Sequence, residues 1–226
     1  MCRRLSLTRI TAVTIIITLC VIIWNIFSID DEDRSEFVNG CNKTVEYLTD
    51  LDKLLEKVHN IFVSHNLRHI LCYGTLWGQI RISEFLPWSE KAELCIFKAQ
   101  LDLINEGLLY GSFERKFLRL RYFSAYGFFI VEDIYKSKPF IQIYVYDLDV
   151  EQQMYKRVGW KRGLLPPHCD WTPSLECFPA HLIVDPLPAK YLGSNTYPVP
   201  MGGIEIQKYH YANSWWKRPQ MPATCT

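Results

Sequence analysis

The chain opens with a stretch that has no polar rhythm, then settles into helical and strand periods. From Ile10 to Ile29 twenty residues run without a charge and are rich in Ile, Val and Leu. At about 1.5 Å per residue, a helix of that length matches the ~30 Å hydrocarbon core of a bilayer. The hydroxyls of Thr11, Thr14 and Thr18 can return to the helix's own carbonyls, which leaves Asn25 as the costly polar member. Arg3, Arg4 and Arg9 precede the run, and Asp30, Asp31, Glu32 and Asp33 follow it. The positive-inside rule therefore predicts a cytoplasmic tail at 1–9, a transmembrane signal anchor at 10–29 and a lumenal remainder: a single-pass type II membrane protein. A cleaved signal peptide is the alternative, but its apolar core is usually roughly 7–15 residues and no small-x-small cleavage site follows.

An acidic lumenal stalk (30–44) leads into a 3.6-residue period. Val45, Leu48, Leu51, Leu55, Val58 and Phe62 form one apolar stripe, with Lys53, Glu56, Lys57 and Asn60 opposite. This predicts a helix of about 20 residues covering one face of a sheet. Ile70–Tyr73 and Ala92–Phe97 read as buried strands, and 99–110 as a short helix. Leu118, Leu120 and Tyr122 alternate with Arg119 and Arg121, as on a strand with one wet face. Phe128–Val131 and Phe140–Tyr146 continue the β pattern, with a Lys-Ser-Lys-Pro turn between them. Beyond 160 the chain is rich in Pro and aromatics, which predicts irregular segments and short helices over the sheet. The expected fold is α+β, a mixed sheet with flanking helices at 45–226, preceded by one transmembrane helix.

Composition narrows the function classes. The net charge of +1 supplies no field for nucleic acid, and the 49% apolar content excludes a disordered chain. In a lumen, Asn42-Lys43-Thr44 becomes a glycosylation acceptor at Asn42. Six cysteines lie past the anchor (Cys41, Cys72, Cys95, Cys169, Cys177, Cys225), and an oxidising compartment permits their pairing. Cys169 and Cys177 flank a Pro-containing loop and are candidate partners. Cys72 and Cys95, in apolar runs, read as small buried hydrophobes. His168 and His181 have no motif context and read as ordinary residues.

The chemistry is concentrated in Tyr73-Gly74-Thr75-Leu76-Trp77-Gly78-Gln79-Ile80-Arg81, followed by Phe85-Leu86-Pro87-Trp88. A Gly-Thr pair where a strand meets a helix offers N–H groups and a hydroxyl to a phosphate. The whole string resembles the LicD and fukutin family, whose pattern is roughly YGTLLGAVRHGGFIPWDDDIDI. It aligns without a gap from Tyr73 to Leu94. Ile141–Asp147 resembles the family's IDIFPLD block, and Val199-Pro200 with Tyr211–Trp215 resembles its ending. The resemblance implies a nucleotidyltransferase-like fold in the Golgi or endoplasmic reticulum membrane. It implies transfer of a phospho-substituted alcohol, phosphocholine or ribitol phosphate, from a nucleotide diphosphate donor onto a glycan. It also implies phosphate or nucleotide contacts from Gly74, Thr75 and Arg81. Arg81 reads equally as a structural ion pair, and Trp88, Trp215 and Trp216 read as core or pocket-wall aromatics rather than sugar platforms.

The departures from the family decide the expectation. Such chemistry needs Mg or Mn bridging the donor's phosphates, held by hard carboxylates on alternate strand positions. The family-equivalent positions here are Ser89, Lys91, Glu93 and Gln142, whose charges cancel. Glu93 is then the one inherited metal ligand. A lysine about 4 Å from a divalent cation is repelled by roughly 8 kcal/mol at an effective dielectric near 20. Lys91 can instead bind an anion or pair with Glu93, and Glu90 should point away from the shared face. The sequence thus predicts a catalytically impaired member, a pseudoenzyme that binds a nucleotide-diphospho-alcohol, a glycan or other glycosylation proteins. The alternative is an active metal-dependent transferase with a rearranged site recruiting Glu90, Asp147 or Asp149.

Overall fold

A computed structural model describes residues 11, 13–21 and 42–217. The chain divides into two units, 1–37 and 38–226. In the first, residues 11 and 13–21 are helical, and Thr14 and Thr18 donate to the carbonyls of Thr11 and Thr14 as their spacing predicts. Among the described residues no helix is long and apolar enough to cross a membrane. The rest of the 10–29 span, the tail and the stalk to residue 41 lie outside the described residues.

The second unit is α+β. Helix α1 (Val45–Ser64) begins where Thr44 caps it by accepting from the Tyr47 N–H at 3.2 Å. Its stripe Leu51, Leu55, Val58 and Phe62 is fully buried. Strand β1 (His69–Leu71), helix α2 (Tyr73–Ile82), β2 (Lys91–Phe97), helices α3 (Lys98–Leu101) and α4 (Glu106–Glu114) follow, then β3 (Leu118–Phe123), β4 (Phe128–Asp133) and β5 (Lys136–Asp149). β6 (Met154–Arg157) and β7 (Phe178–Pro179) complete one seven-stranded sheet with the path β1-β2-β5-β4-β3; β6 pairs with β5 and β7. The β2–β5 pairing is parallel and the others are antiparallel, so the sheet is mixed. A separate hairpin, β8 (Ala189–Leu192) with β9 (Asn195–Pro198), precedes the short helix α5 (Gln207–His210).

Because alternate strand residues face opposite ways, one face of β2 and β5 carries Leu94, Ile96, Ile141 and Ile143, and the other carries Lys91, Glu93, Gln142 and Tyr144. Ile96 and Ile143 close over Phe62 and Phe113 on the apolar side. The polar set is therefore the inner wall of the opposite layer.

Four local expectations change. The strand that opens the motif ends at Leu71, and Tyr73 already starts α2. The helix expected at 99–110 breaks into α3 and α4, because Asn105 turns the chain and caps α4 by accepting from Leu108 N–H. The β4–β5 turn falls at Ile134-Tyr135, and Lys136–Pro139 belongs to β5. Finally, Cys72 and Cys95 are buried but disulfide-bonded, their Cα atoms 6.0 Å apart; Leu71 sits opposite Leu94, which puts Cys72 one step past the pairing and diagonal to Cys95. Cys169–Cys177 also form a disulfide.

His69 on β1 is buried, with its Nε2 2.7 Å from Nδ1 of His59 and its Nδ1 2.9 Å from the Leu67 carbonyl. Burial pushes its imidazole down to about 4. The unfolded chain thus holds a proton there that the folded chain lacks between about pH 6.5 and pH 4, so stability present above 6.5 is lost as pH falls through that window. Unfolding free energies from urea titration should decline across it by about 3 kcal/mol on this account. A His69→Phe variant should show a flatter decline, and an unchanged slope would remove the assignment.

Candidate functional site

The site is built where the N-terminus of α2 meets the polar face of β2. Glu93 accepts from the Gly74 N–H at 2.7 Å, and the Glu93 N–H donates to the Thr75 hydroxyl at 2.8 Å. A Cβ on Gly74 would stand 3.0 Å from that carboxylate, so glycine is what lets the two backbones approach. Further along α2, a Cβ on Gly78 would lie 2.4 Å from the Glu84 carbonyl, so this motif glycine serves the return of the chain. Tyr73 enters the helix at φ 47°, a left-handed conformation for a bulky residue.

The same carboxylate meets Lys91, its Nζ 3.3 Å away, and the Tyr144 hydroxyl, which donates to it at 3.1 Å. Lys91 also donates to the side-chain carbonyl of Gln142, whose residue pairs with Glu93 across the parallel β2–β5 ladder. The Lys91 and Glu93 side chains are 17% and 12% exposed, so the pair is largely withdrawn from water. Three of the four family-equivalent positions thus converge. The fourth, Ser89, lies in the turn before β2, with its N–H on the Leu86 carbonyl.

These residues do not fit a divalent cation. The carboxylate of Glu93 is already shared among a backbone N–H, a phenol and an ammonium, and the ammonium sits where a cation would have to sit. Among the described residues no three His, Cys, Asp or Glu side chains are grouped to hold a metal. The carboxylates available for recruitment are engaged elsewhere. Glu90 pairs with Lys43 at 2.5 Å, Asp149 pairs with Lys156, and Asp147 accepts from the Leu148 N–H.

The phosphate corner is likewise spoken for from inside, since β2 occupies the Gly74 N–H and the Thr75 hydroxyl. Arg81 stands seven residues on, about 10 Å along the helix axis, and its guanidinium lies over the Trp77 ring at 4.9 Å. The structure therefore brings Gly74, Thr75, Lys91, Glu93 and Gln142 together and leaves Arg81 at the far end of α2. Asn42 is exposed, as are His168 and His181. Trp88 is half-buried, and Trp215 meets Trp216 edge-on.

Behind Tyr144 lies a second polar cluster, whose charged members Arg157 and Glu176 have no forerunner in the motifs. The Tyr73 hydroxyl bonds to Tyr146 at 2.6 Å and donates to Glu176, and Arg157 bonds the same Glu176 oxygen at 2.7 Å. The Arg157 guanidinium lies 4.3 Å from the centre of the Tyr144 ring. His210 stacks on Tyr73 with centroids 4.1 Å apart, and the Gln207 side-chain amide donates to the Tyr73 carbonyl. Burial opposes ionisation of Glu176, but Arg157 and Arg162 outweigh it and hold the carboxyl down at about 2. Burial likewise pushes His210 down to about 4 and keeps it neutral. Tyr211, in the C-terminal block, packs edge-on to Tyr73 at 6.4 Å, so the first and last resembling blocks meet here. Glu176 carried no sequence signal because it is a lone charge in its loop, and Arg157 none because it sits beside Lys156 in a segment without a motif.

Two clefts open away from this site, one of about 330 Å³ between α1 and the β4–β5 hairpin and one of about 430 Å³ beside Arg68 and Asp185. No protein-family model matches this chain, and no curated protein matches it. The reading of the site therefore rests on its own geometry.

Arg157 is 3% exposed, and removing the Glu176 carboxylate takes from its buried guanidinium an anion held at 2.7 Å. Glu176→Ala should lower unfolding free energy by about 3–5 kcal/mol, whereas Glu176→Gln, which keeps a hydrogen-bonding oxygen, should cost less. Urea titration of the two variants checks the order; equal and small losses would show the pair to be peripheral.

Proposed function

We propose that this chain is a membrane-anchored, lumen-facing LicD/fukutin-like protein, related to transferases of phospho-substituted alcohols, that is catalytically impaired and serves as a binding or accessory protein in glycosylation. The anchor and orientation rest on the apolar run at 10–29 and its flanking charges. The family reading rests on the Tyr73–Leu94 string, and the mixed sheet is compatible with a nucleotidyltransferase-like fold.

One observation carries the impaired reading: Lys91 is locked between Glu93 and Gln142. The resemblance places magnesium or manganese at these positions, bridging the diphosphate of a donor. Here an internal ammonium neutralises the lone carboxylate instead. A divalent ion entering beside it would meet roughly 8 kcal/mol of repulsion at 4 Å and find no free carboxylate to repay that. The residues do hold α2 against the sheet, and a surface kept in this way suits recognition of a partner or glycan rather than bond-making.

The active-transferase alternative requires Glu93 to leave Gly74 and Lys91. A test separates the two. The full-length chain is titrated with CDP-choline and with CDP-ribitol, each with Mg²⁺, with Mn²⁺ and with chelator. The expected outcome is no divalent-dependent binding and no turnover. The Lys91→Asp, Gln142→Asp variant should acquire Mg²⁺-dependent thermal stabilisation that the natural chain lacks. Metal-dependent turnover by the natural chain would overturn the proposal.

A further inference from the structure

The 330 Å³ cleft between α1 and the β4–β5 hairpin gathers four lysines, Lys53 and Lys57 from α1 and Lys136 and Lys138 from β5. The size falls within the ~300–1,000 Å³ range of small-ligand sites. Two acids share the cleft. Asp133 lies 3.9 Å from Lys57, and Asp50 lies 3.2 Å from Lys136. In both pairs the lysine is exposed and the acid half-buried, and pairs this open to solvent are weak and easily exchanged. Lys53 and Lys138 make no ion pair among the described residues, which leaves the cleft with an excess of two positive charges.

The spacing is set by secondary structure. Lys53 and Lys57 are four residues apart on a helix, about 6 Å along its axis. Lys136 and Lys138 are two apart on a strand, about 7 Å, and point to the same side. Two short rows of ammonium groups therefore face one another at matching intervals. Between them the floor is apolar: Leu54 is buried, and the lysine stems add methylene surface. Tyr135, 78% exposed at the tip of the hairpin, supplies an aromatic rim.

We propose that this cleft binds a small saccharide or polyol carrying two tetrahedral oxyanions, phosphate or sulfate, about 6–7 Å apart. Each oxyanion sits between one helix lysine and one strand lysine, displacing Asp133 and Asp50 from their weak pairs. The C–H face of the ring lies on the apolar floor and against Tyr135. The inference goes beyond the function proposed above, because none of its residues belongs to the Lys91–Glu93 cluster.

Calorimetric titration of the full-length chain tests it with four probes: fructose 1,6-bisphosphate, a heparin-derived disaccharide bearing two sulfates, and the unsubstituted form of each. At least one charged probe should bind, more weakly as salt rises, and neither neutral form should. Which charged probe binds identifies phosphate or sulfate. Lys53→Glu with Lys138→Glu should weaken binding at least about tenfold while leaving the thermal midpoint in place, since both side chains are exposed and unpaired. Lys53→Arg with Lys138→Arg should retain it. Absence of binding by both charged probes, equal binding of neutral forms, or indifference to the double charge reversal would each overturn the proposal.

Discussion

The interior carboxylate of Glu93 is the constraint around which this domain is arranged. A charge withdrawn from water costs several kcal/mol unless its lone pairs are filled. Glu93 fills them from three directions: the helix α2 through Gly74, its own strand through Lys91, and strand β5 through Tyr144. That requirement fixes the angle at which α2 leaves the sheet. It also explains why a residue without a Cβ stands at position 74 and why Thr75 turns its hydroxyl to the β2 backbone.

The same accounting continues through Tyr144 and Tyr73 to Glu176 and Arg157. Two ion pairs, Lys91–Glu93 and Arg157–Glu176, lie along this seam, and Arg162 adds a further cation near Glu176. Burial raises the phenols of Tyr73 and Tyr146 well above their ordinary range, so both stay protonated and can donate. His210 stays neutral for the same reason. Tyr73, Tyr146 and His210 are consequently fixed in protonation rather than poised to exchange protons near neutrality. Glu176 reaches it from the loop closed by Cys169–Cys177, where the chain turns through φ 49°. A disulfide next to the residue limits how far that loop can carry its carboxylate away.

Several features were legible in the residues alone. The stripe from Leu51 to Phe62 could bury itself only as a helix, and Lys53 and Lys57 had to face solvent. The alternation in β2 and β5 placed Lys91, Glu93 and Gln142 on one side before any pairing was known. The short loop between Cys169 and Cys177 kept those sulfurs within reach. Less legible were elements whose boundaries depend on a cap or a turn. Asn105 splits a helix that periodicity ran through, and the β4–β5 turn falls two residues ahead of the Lys-Ser-Lys-Pro segment that resembles one. The strands β6 to β9 lie in segments too short or too rich in proline to show a period.

What the sequence determined is everything set by neighbours a few positions away: helix stripe, strand face and the glycine corner. The tertiary structure decided where each charge is spent. Lys91 could have faced solvent or an anion, but the parallel pairing of β2 with β5 sets it against Glu93 and Gln142, the latter 51 positions away. Cys72 and Cys95 looked like inert hydrophobes until the β1–β2 register made them diagonal neighbours. Arg157, Glu176 and His210 come from three separate segments and meet around Tyr73: Arg157 pairs with Glu176, the Tyr73 hydroxyl donates to Glu176, and His210 stacks on the Tyr73 ring. Periodicity is a property of the local backbone, whereas neutralising an interior charge depends on which distant strand arrives beside it.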